Sequence, residues 1–482
     1  MNFWELENLR SAMTGSWLVR PSKSSPPEAQ GASIDTRSLK RGNIFFALKG
    51  EKVDGHRFLD GAATAGAALA VVEDPAVVAT APSGLALLQV ENVGKALLKC
   101  AAEYRKTLEG TRVISVGGSN GKTTTTRLIE AVLSKNFRGV SSPKSFNNAI
   151  GVPLTILSAR AGDQYLLCEV GTNATGEIAE LASVVSPEIA IITSIGREHL
   201  EGLNSIRGVI AEEASIASEI RPGGVAIIAA NPTELTDAVR GLMMGGKTGT
   251  ILRFGPSADA DLRVESIATD ELGTSFSINK RSKFRIPLLG AHNAMNGAAA
   301  VAVARRFGLD DASIQAALAD APAPEMRMRL EIKGPIALLN DAYNANPDSM
   351  LASLKAFSDL ARHRNPARRV VVLADMLEMG EAGPDAHREI GEAVAADESI
   401  DFVVLVGPLM MFAAERLRKK WTGERVMNLP QMDDEHARRI AAMLRPGDFV
   451  LLKGSRGMGV ERVAKALDGA GTVARSKQEF AV

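Results

Sequence analysis

The chain has 482 residues, 45% hydrophobic and 23% charged, a balance that fits roughly three globular domains and excludes a fibrous or mostly disordered protein. Its 56 basic and 56 acidic side chains cancel, so no global charge draws it to nucleic acid or to an anionic membrane. Aromatic residues make up only 4%, too few for a single-strand stacking platform. Two cysteines, Cys100 and Cys168, sit in apolar stretches, which excludes a disulfide scaffold and favours a reducing cytoplasm.

The first residues carry Glu5 and Glu7 before any arginine and have no apolar core, unlike a secretory signal. No apolar run approaches the ~20 residues that span a bilayer. Residues 20–31 read as a Pro/Ser-rich surface stretch, followed by Ser33-Ile34-Asp35-Thr36-Arg37 and a buried strand at 44–48. A small α/β unit is predicted over 1–107. A charged helical segment near 103–109 then gives way to the β-branched run 113–116 and a cluster of glycines.

From there, apolar runs at 165–168, 188–192 and 225–229 alternate with helical spacing, which predicts a mainly parallel sheet covered by helices. Residues 262–286 alternate in polarity like antiparallel strands, and the Ala-rich 291–307 predicts a helix. This second domain is predicted over 108–320. Pro322 and Pro324 interrupt the pattern. A second alternating series at 336–339, 370–373, 402–406 and 449–452 predicts a third, nucleotide-fold-like α/β domain over 321–482.

Chemistry concentrates after the strand at 113–116. Gly118-Ser119-Asn120-Gly121-Lys122-Thr123-Thr124 joins that strand to a helix. In such a place main-chain N–H groups cradle phosphate oxygens, a lysine neutralises the outer phosphates and a threonine hydroxyl ligates magnesium. The loop departs from the common G-x-x-x-x-G-K-[ST] spacing, since Val116 stands where the first glycine would be. A magnesium bridging nucleotide and acceptor needs further oxygen ligands. Glu169, at the C-terminal end of the next strand, is placed to supply one. His199 follows the strand after that and is a second candidate ligand.

Taken with Ser145-Phe146-Asn147-Asn148, Glu169-Val170-Gly171, Gly290-Ala291-His292-Asn293-Ala294-Met295-Asn296 and Asp341-Ala342-Tyr343-Asn344-Ala345-Asn346-Pro347, the chain resembles the Mur ligases of peptidoglycan synthesis along nearly its whole length. Ala374-Asp375-Met376-Leu377-Glu378 and Lys453-Gly454-Ser455-Arg456-Gly457 continue the match. Among these ligases it is most similar to those that join D-alanyl-D-alanine to a UDP-N-acetylmuramoyl-tripeptide.

The resemblance implies a three-domain α/β fold: a small UDP-binding domain, a central P-loop ATPase domain and a C-terminal Rossmann-like domain. It implies an ATP- and Mg2+-dependent amide synthesis through an acyl phosphate, by a cytoplasmic monomer that binds no nucleic acid and does not enter the membrane. Lys122 would steady the transferred phosphoryl group, Thr123 and Glu169 would hold one magnesium, and His199 a second. Asn293 and Asn296 would meet the nucleotide, Arg327 would approach the γ-phosphate on closure, and Asp341, Tyr343, Asn344 and Asn346 would line the ribose side. The UDP-sugar would meet Ser33, Asp35, Thr36, Arg37, Asp54, Gly55 and His56. Asn147 and Asn148 would contact the muramoyl peptide, and Lys453, Ser455 and Arg456 would lie near the dipeptide.

One position departs from the family pattern. These ligases generally carry a carbamylated lysine fourteen residues after the histidine, and here that position is Glu213. A glutamate cannot form the carbamate but supplies a carboxylate of like charge on a shorter stem, so Glu213 is expected to act as a direct or water-mediated metal ligand. The alternative is a solvated Glu212/Glu213 helix face. The Asp-Asn-Pro-Arg tetrapeptide of the diaminopimelate-adding relatives is absent after 402–406, where Gly407-Pro408-Leu409-Met410 follows. Folylpolyglutamate synthase would lack the first domain, and a non-catalytic nucleotide or UDP-sugar binder would bind without turnover.

Overall fold

The computed structural model describes residues 2–21, 28–243, 249–421 and 423–468. Residues 22–27 of the Pro/Ser-rich stretch, and the end of the third domain from 469, lie outside the described residues. Three sheets organise the chain. The first has five strands in the order Ser16–Val19, Leu87–Gln89, Leu69–Val72, Ile44–Phe46, Ala32–Ser33; all pairs are parallel except the edge pair of Ser16–Val19 with Leu87–Gln89.

The central sheet has nine strands. Its parallel part runs Gly139–Ser141, Tyr165–Glu169, Arg112–Gly117, Ile189–Ile192, Val225–Ala229, Thr250–Gly255 and onto Leu262–Asp270. It ends in the antiparallel strands Gly273–Ile278 and Ser282–Ile286, as the alternation at 262–286 predicts. Strands covered on both faces become continuous β-branched runs, and Ile189–Ile192 is buried at every position. Arg112–Gly117 lies between Tyr165–Glu169 on one side and Ile189–Ile192 on the other. Later crossovers therefore leave it in opposite directions, and a crevice opens outside its C-terminal end.

The third sheet orders Arg329–Lys333, Ile336–Asp341, Asp448–Lys453, Arg368–Ala374, Phe402–Val406 and Val426–Leu429. Arg329–Lys333 pairs antiparallel with Ile336–Asp341 as an edge strand; its Arg-Leu-Glu-Ile-Lys alternates in polarity, but none of the five residues is buried and Ile332 is exposed. Phe357 and Phe449 stack at 4.6 Å across helix and sheet, both fully buried. Each such ring contributes about 1.5–3 kcal/mol by leaving water.

Helix termini set where polar groups point. Asn346 caps Pro347–Arg364, accepting from Ser349 N–H, with Pro347 in the first turn; Asn365 closes the helix in the left-handed region at φ +45. Ser205 caps Ile206–Ala214, whose inward face carries Glu213. Among the described residues no helix is long and apolar enough to cross a membrane.

Cys100 and Cys168 are unpaired and fully buried, and burial pushes each thiol up to about 12, at Cys168 against the charge of Arg105. A thiol held protonated and out of solvent is a poor nucleophile. Neither should therefore react with a thiol-specific reagent in the native protein, and both should react after denaturation; rapid native labelling at either would contradict this burial.

Candidate active site

The crevice is a cavity of about 930 Å³. Its floor is the loop between Arg112–Gly117 and the helix Lys122–Leu133. Two glycines make the loop possible. Gly118 has φ +112, and a Cβ there would lie 2.3 Å from Thr193 Oγ1; Gly121 has φ +92, and its Cβ would lie 2.2 Å from Asn296 Oδ1. The main chain thus turns into the helix; the N–H groups of Gly118, Ser119 and Asn120 are spent on Glu213, Ser194 O and Ser194 Oγ, so the anion-binding donors are those of the first turn of Lys122–Leu133. Thr193 ties the turn down: its N–H donates to Gly117 O at 3.0 Å, and its hydroxyl lies 2.7 Å from Asn120 O and 3.0 Å from Gly117 O.

Lys122 Nζ folds onto Gly118 O at 2.6 Å and faces Glu198 Oε1 at 3.4 Å. Burial works against its charge, but Glu198, Glu213 and Glu169 outweigh that and hold its pKa above the ordinary lysine value. The Thr123 hydroxyl donates to Glu169 Oε1 at 3.1 Å and lies 3.1 Å from Ser145 Oγ. Asn147 donates to the same Glu169 oxygen at 2.9 Å. Glu169 Oε2 is buried without a partner, and burial raises the carboxyl above its usual range. A hydroxyl and a half-satisfied carboxylate side by side are a hard-oxygen donor set suited to magnesium.

The third domain completes the crevice. Arg327 Nη2 donates to Thr123 Oγ1 at 3.0 Å, its guanidinium stacked over Tyr343 at 4.0 Å. Tyr343 OH reaches Ser145 Oγ at 2.7 Å, and Asn346 donates to Asn120 Oδ1 at 2.9 Å. Asn344, Asp341, Thr124 and Lys453 also line the cavity. Lys453 Nζ lies 2.6 Å from Asp341 Oδ2, so these two neutralise each other. Asn296 donates to Asn293 Oδ1 at 2.8 Å and accepts from Thr125 at 3.2 Å, joining the helix His292–Arg306 to the loop's helix.

Other expected residues stand elsewhere. Asn148 spends its side chain capping the helix Gly151–Ser158, accepting from Gly151 N at 2.9 Å, although it borders the cavity. Arg456 borders the cavity too, whereas buried Ser455 accepts from Leu377 N–H at 2.9 Å and does not. Ser33, Asp35, Thr36, Arg37, Asp54, Gly55 and His56 are on the first domain, away from this cavity. There Asp35 pairs with exposed Arg37 at 2.7 Å, and Asp54 and Glu73 N–H both engage His56.

The solvated-face alternative for Glu212 and Glu213 is overturned, since both are buried. Glu212 accepts from Gly176 and Ile178 N–H groups, an N-terminal anchor for the helix Glu177–Val185. Glu213 Oε2 accepts from Gly118 N–H at 2.5 Å, under the phosphate loop, while its Oε1 is buried without a partner. Burial pushes Glu213 up to about 7, Lys122 opposing and Glu198 adding to the rise. His199 Nδ1 lies 2.6 Å from Glu378 Oε2, and its Nε2 3.8 Å from Glu198 Oε2. Among the described residues no three His, Cys, Asp or Glu side chains are gathered as a metal cluster.

Sequence reasoning missed Glu198, Ser145's double contact, and a cavity wall from Ala229 to Asn231 and Phe254 to Pro256. The wall follows strand ends and carries little polar signal. Glu198 could have been found from its place directly before His199 in the loop after a buried strand.

Three family patterns tile this architecture: the Mur ligase family catalytic domain over residues 28–105, the Mur ligase middle domain over 116–304 and the Mur ligase glutamate ligase domain over 326–456. The chain belongs to the Mur ligase family. The UDP-N-acetylmuramoyl-tripeptide–D-alanyl-D-alanine ligase of Bacillus subtilis (strain 168) is 35% identical over 439 residues, 91% of this chain and 93% of that one. The enzyme of the same name from Escherichia coli (strain K12) is 31% identical, covering 92% and 96%. A crystal structure of MurF from Acinetobacter baumannii superposes with TM-score 0.82 at 28% identity over 96% of this chain and 99% of its own. MurF from Thermotoga maritima, solved with ADP, shares the fold at TM-score 0.76 and 24% identity. As a Mur ligase, the chain sets its loop, its strand-end carboxylate and its third-domain arginine in the one crevice described above.

Proposed function

We propose that this Mur ligase joins D-alanyl-D-alanine to UDP-N-acetylmuramoyl-tripeptide in the cytoplasm, with ATP as the energy source. The convergence of Lys122, Thr123 and Glu169 with Arg327 from the third domain carries this reading, in a chain similar over 91% of its length to a ligase of that name. A carboxylate is a poor electrophile. Its oxygen attacks the γ-phosphoryl group, ADP departs, and the dipeptide amine then displaces phosphate from the resulting acyl phosphate to give the pentapeptide.

Lys122 and Arg327 face the charge that builds on the transferred group, and the N–H groups of the first turn of Lys122–Leu133 hold the remaining phosphates. Thr123 and Glu169 are the residues that would hold magnesium. When bound, that ion would supply neutralisation of phosphate charge. Closure of the third domain over the loop excludes water from an intermediate that hydrolyses readily. In this reading Asn293 and Asn296 fix the loop's height beneath the nucleotide, Asp341, Tyr343, Asn344 and Asn346 border it, and the first-domain residues from Ser33 to His56 take the uridine part.

Incubation with UDP-muramoyl-tripeptide, D-Ala-D-Ala and MgATP tests the assignment, with both lysine and diaminopimelate peptides supplied. Phosphate release matching pentapeptide formation is expected. Product with a single free amino acid alone, or nucleotide binding without turnover, would overturn it.

Glu213 would stand in for the carbamylated lysine by supporting the loop through Gly118, with its buried, unpartnered Oε1 left free for a magnesium-bound water. Replacing it with alanine is expected to raise the magnesium concentration needed for half-maximal turnover and to lower the maximum by about tenfold, as for loss of an outer-shell metal partner. Near-normal turnover at low magnesium would remove that role.

A further inference from the structure

The turn at 196–199 carries an arrangement that the loop chemistry leaves unused. Arg197 reaches from the central domain to two carboxylates of the third: its Nη2 lies 2.8 Å from Asp348 Oδ1 and its Nη1 2.6 Å from Glu389 Oε2. Its main-chain N–H also donates to Asp348 Oδ2 at 2.7 Å. Asp348 is in the first turn of Pro347–Arg364 and Glu389 lies midway along Gly383–Ala396, so one guanidinium pins two helices of the neighbouring domain. The approach leaves no room at Gly196, where a Cβ would stand 2.7 Å from Asp348 Oδ2.

The next two residues point to the chemistry. Glu198 faces Lys122 at 3.4 Å, and His199 meets Glu378 of the third domain at 2.6 Å. His199 holds φ +50, a left-handed conformation that a non-glycine residue keeps only where its surroundings fix it. Three consecutive side chains therefore join the third domain, the loop lysine and the third domain again.

We propose that Arg197 is a positioning residue for the ligase reaction. By latching Asp348 and Glu389 it holds the third domain over the loop and seats Glu198 beside Lys122, so closure and placement of the loop cation are one event. An isolated half-exposed ion pair contributes little, but a guanidinium shared between two carboxylates, with a main-chain bond to one of them, is the networked geometry that does contribute. Lysine, a point charge with no planar fork, serves the two carboxylates less well.

The kinetic part rests on the ligase reading; the distance part does not. In the full chain, Lys283→Cys on the central domain and Arg438→Cys on the third carry spin labels, the two native thiols being buried, and pulsed resonance reads the interdomain distance. With Arg197→Ala the distribution is expected to broaden toward longer distances. Turnover should fall roughly fivefold to tenfold, with KM for the UDP-muramoyl peptide moving less than about twofold. Arg197→Lys should be intermediate, and Glu389→Gln, a milder change that spares the fold, should move both readouts the same way. Raising salt to about 0.5 M should broaden the parent distribution and add nothing to Arg197→Ala. A distribution identical to the parent, unchanged turnover, or equal salt responses would overturn the latch. A parent chain without D-Ala-D-Ala-dependent turnover would sink the ligase reading, while the distances still decide the latch.

Discussion

Lys122→Met is expected to lower turnover by on the order of 10²–10³-fold, the loss seen when one prearranged charge stabiliser is taken from a reacting oxygen. Methionine keeps most of the stem and removes only the charge. Three buried carboxylates, Glu198, Glu213 and Glu169, now share that one ammonium. Without it they face each other unpaired, and the cheapest relief is protonation of Glu213, already raised to about 7. The variant should thus lose nucleotide affinity along with rate, because a protonated Glu213 no longer gives Gly118 N–H a full charge to point at. Phosphate release kinetics and ADP titration calorimetry check both. Turnover within tenfold of the parent would show that the phosphoryl group does not meet this lysine.

Gly118→Ala should damage the loop itself. The φ of +112 penalises any side chain, and the added carbon would stand 2.3 Å from Thr193 Oγ1 and 2.6 Å from Thr193 N. Thr193 cannot step back without dropping its bonds to Gly117 and Asn120. Dihedral strain and overpacking together amount to about 2–5 kcal/mol. Gly176→Ala is the matched control, with φ +93 and nothing within 4 Å of its Cβ, so only the dihedral cost of about 1–2 kcal/mol remains. Thermal unfolding and nucleotide binding separate the two. Equal effects would mean that crowding at Thr193 is relieved by a shift the loop tolerates.

Much of this was legible beforehand for a physical reason. Parallel strands buried on both faces leave long β-branched runs, so the central and third sheets, the loop, and Glu169 at its strand end were readable from pattern. The antiparallel strand Arg329–Lys333 was not: it is short, charged at three of five positions and has no buried residue, so it lacks the apolar run by which the inner strands are read. Glu213 was noticed only by its spacing from His199. Its burial and its bond to Gly118 depend on a helix crossing beneath a loop 95 residues earlier, which no local pattern encodes. Arg197 was invisible for the same reason: its partners at 348 and 389 belong to another domain.

Arg327 rests on the Thr123 hydroxyl, and Lys122 on the Gly118 carbonyl beside Glu198. Both cations already have partners before a triphosphate arrives, so its entry exchanges one set of contacts for another, a carboxylate being given up only at Lys122. The heat of binding should consequently be small, and small anions should compete with nucleotide as weak placeholders. Vacating the crevice would carry little electrostatic penalty, which lets product leave a site otherwise built to grip strongly charged molecules.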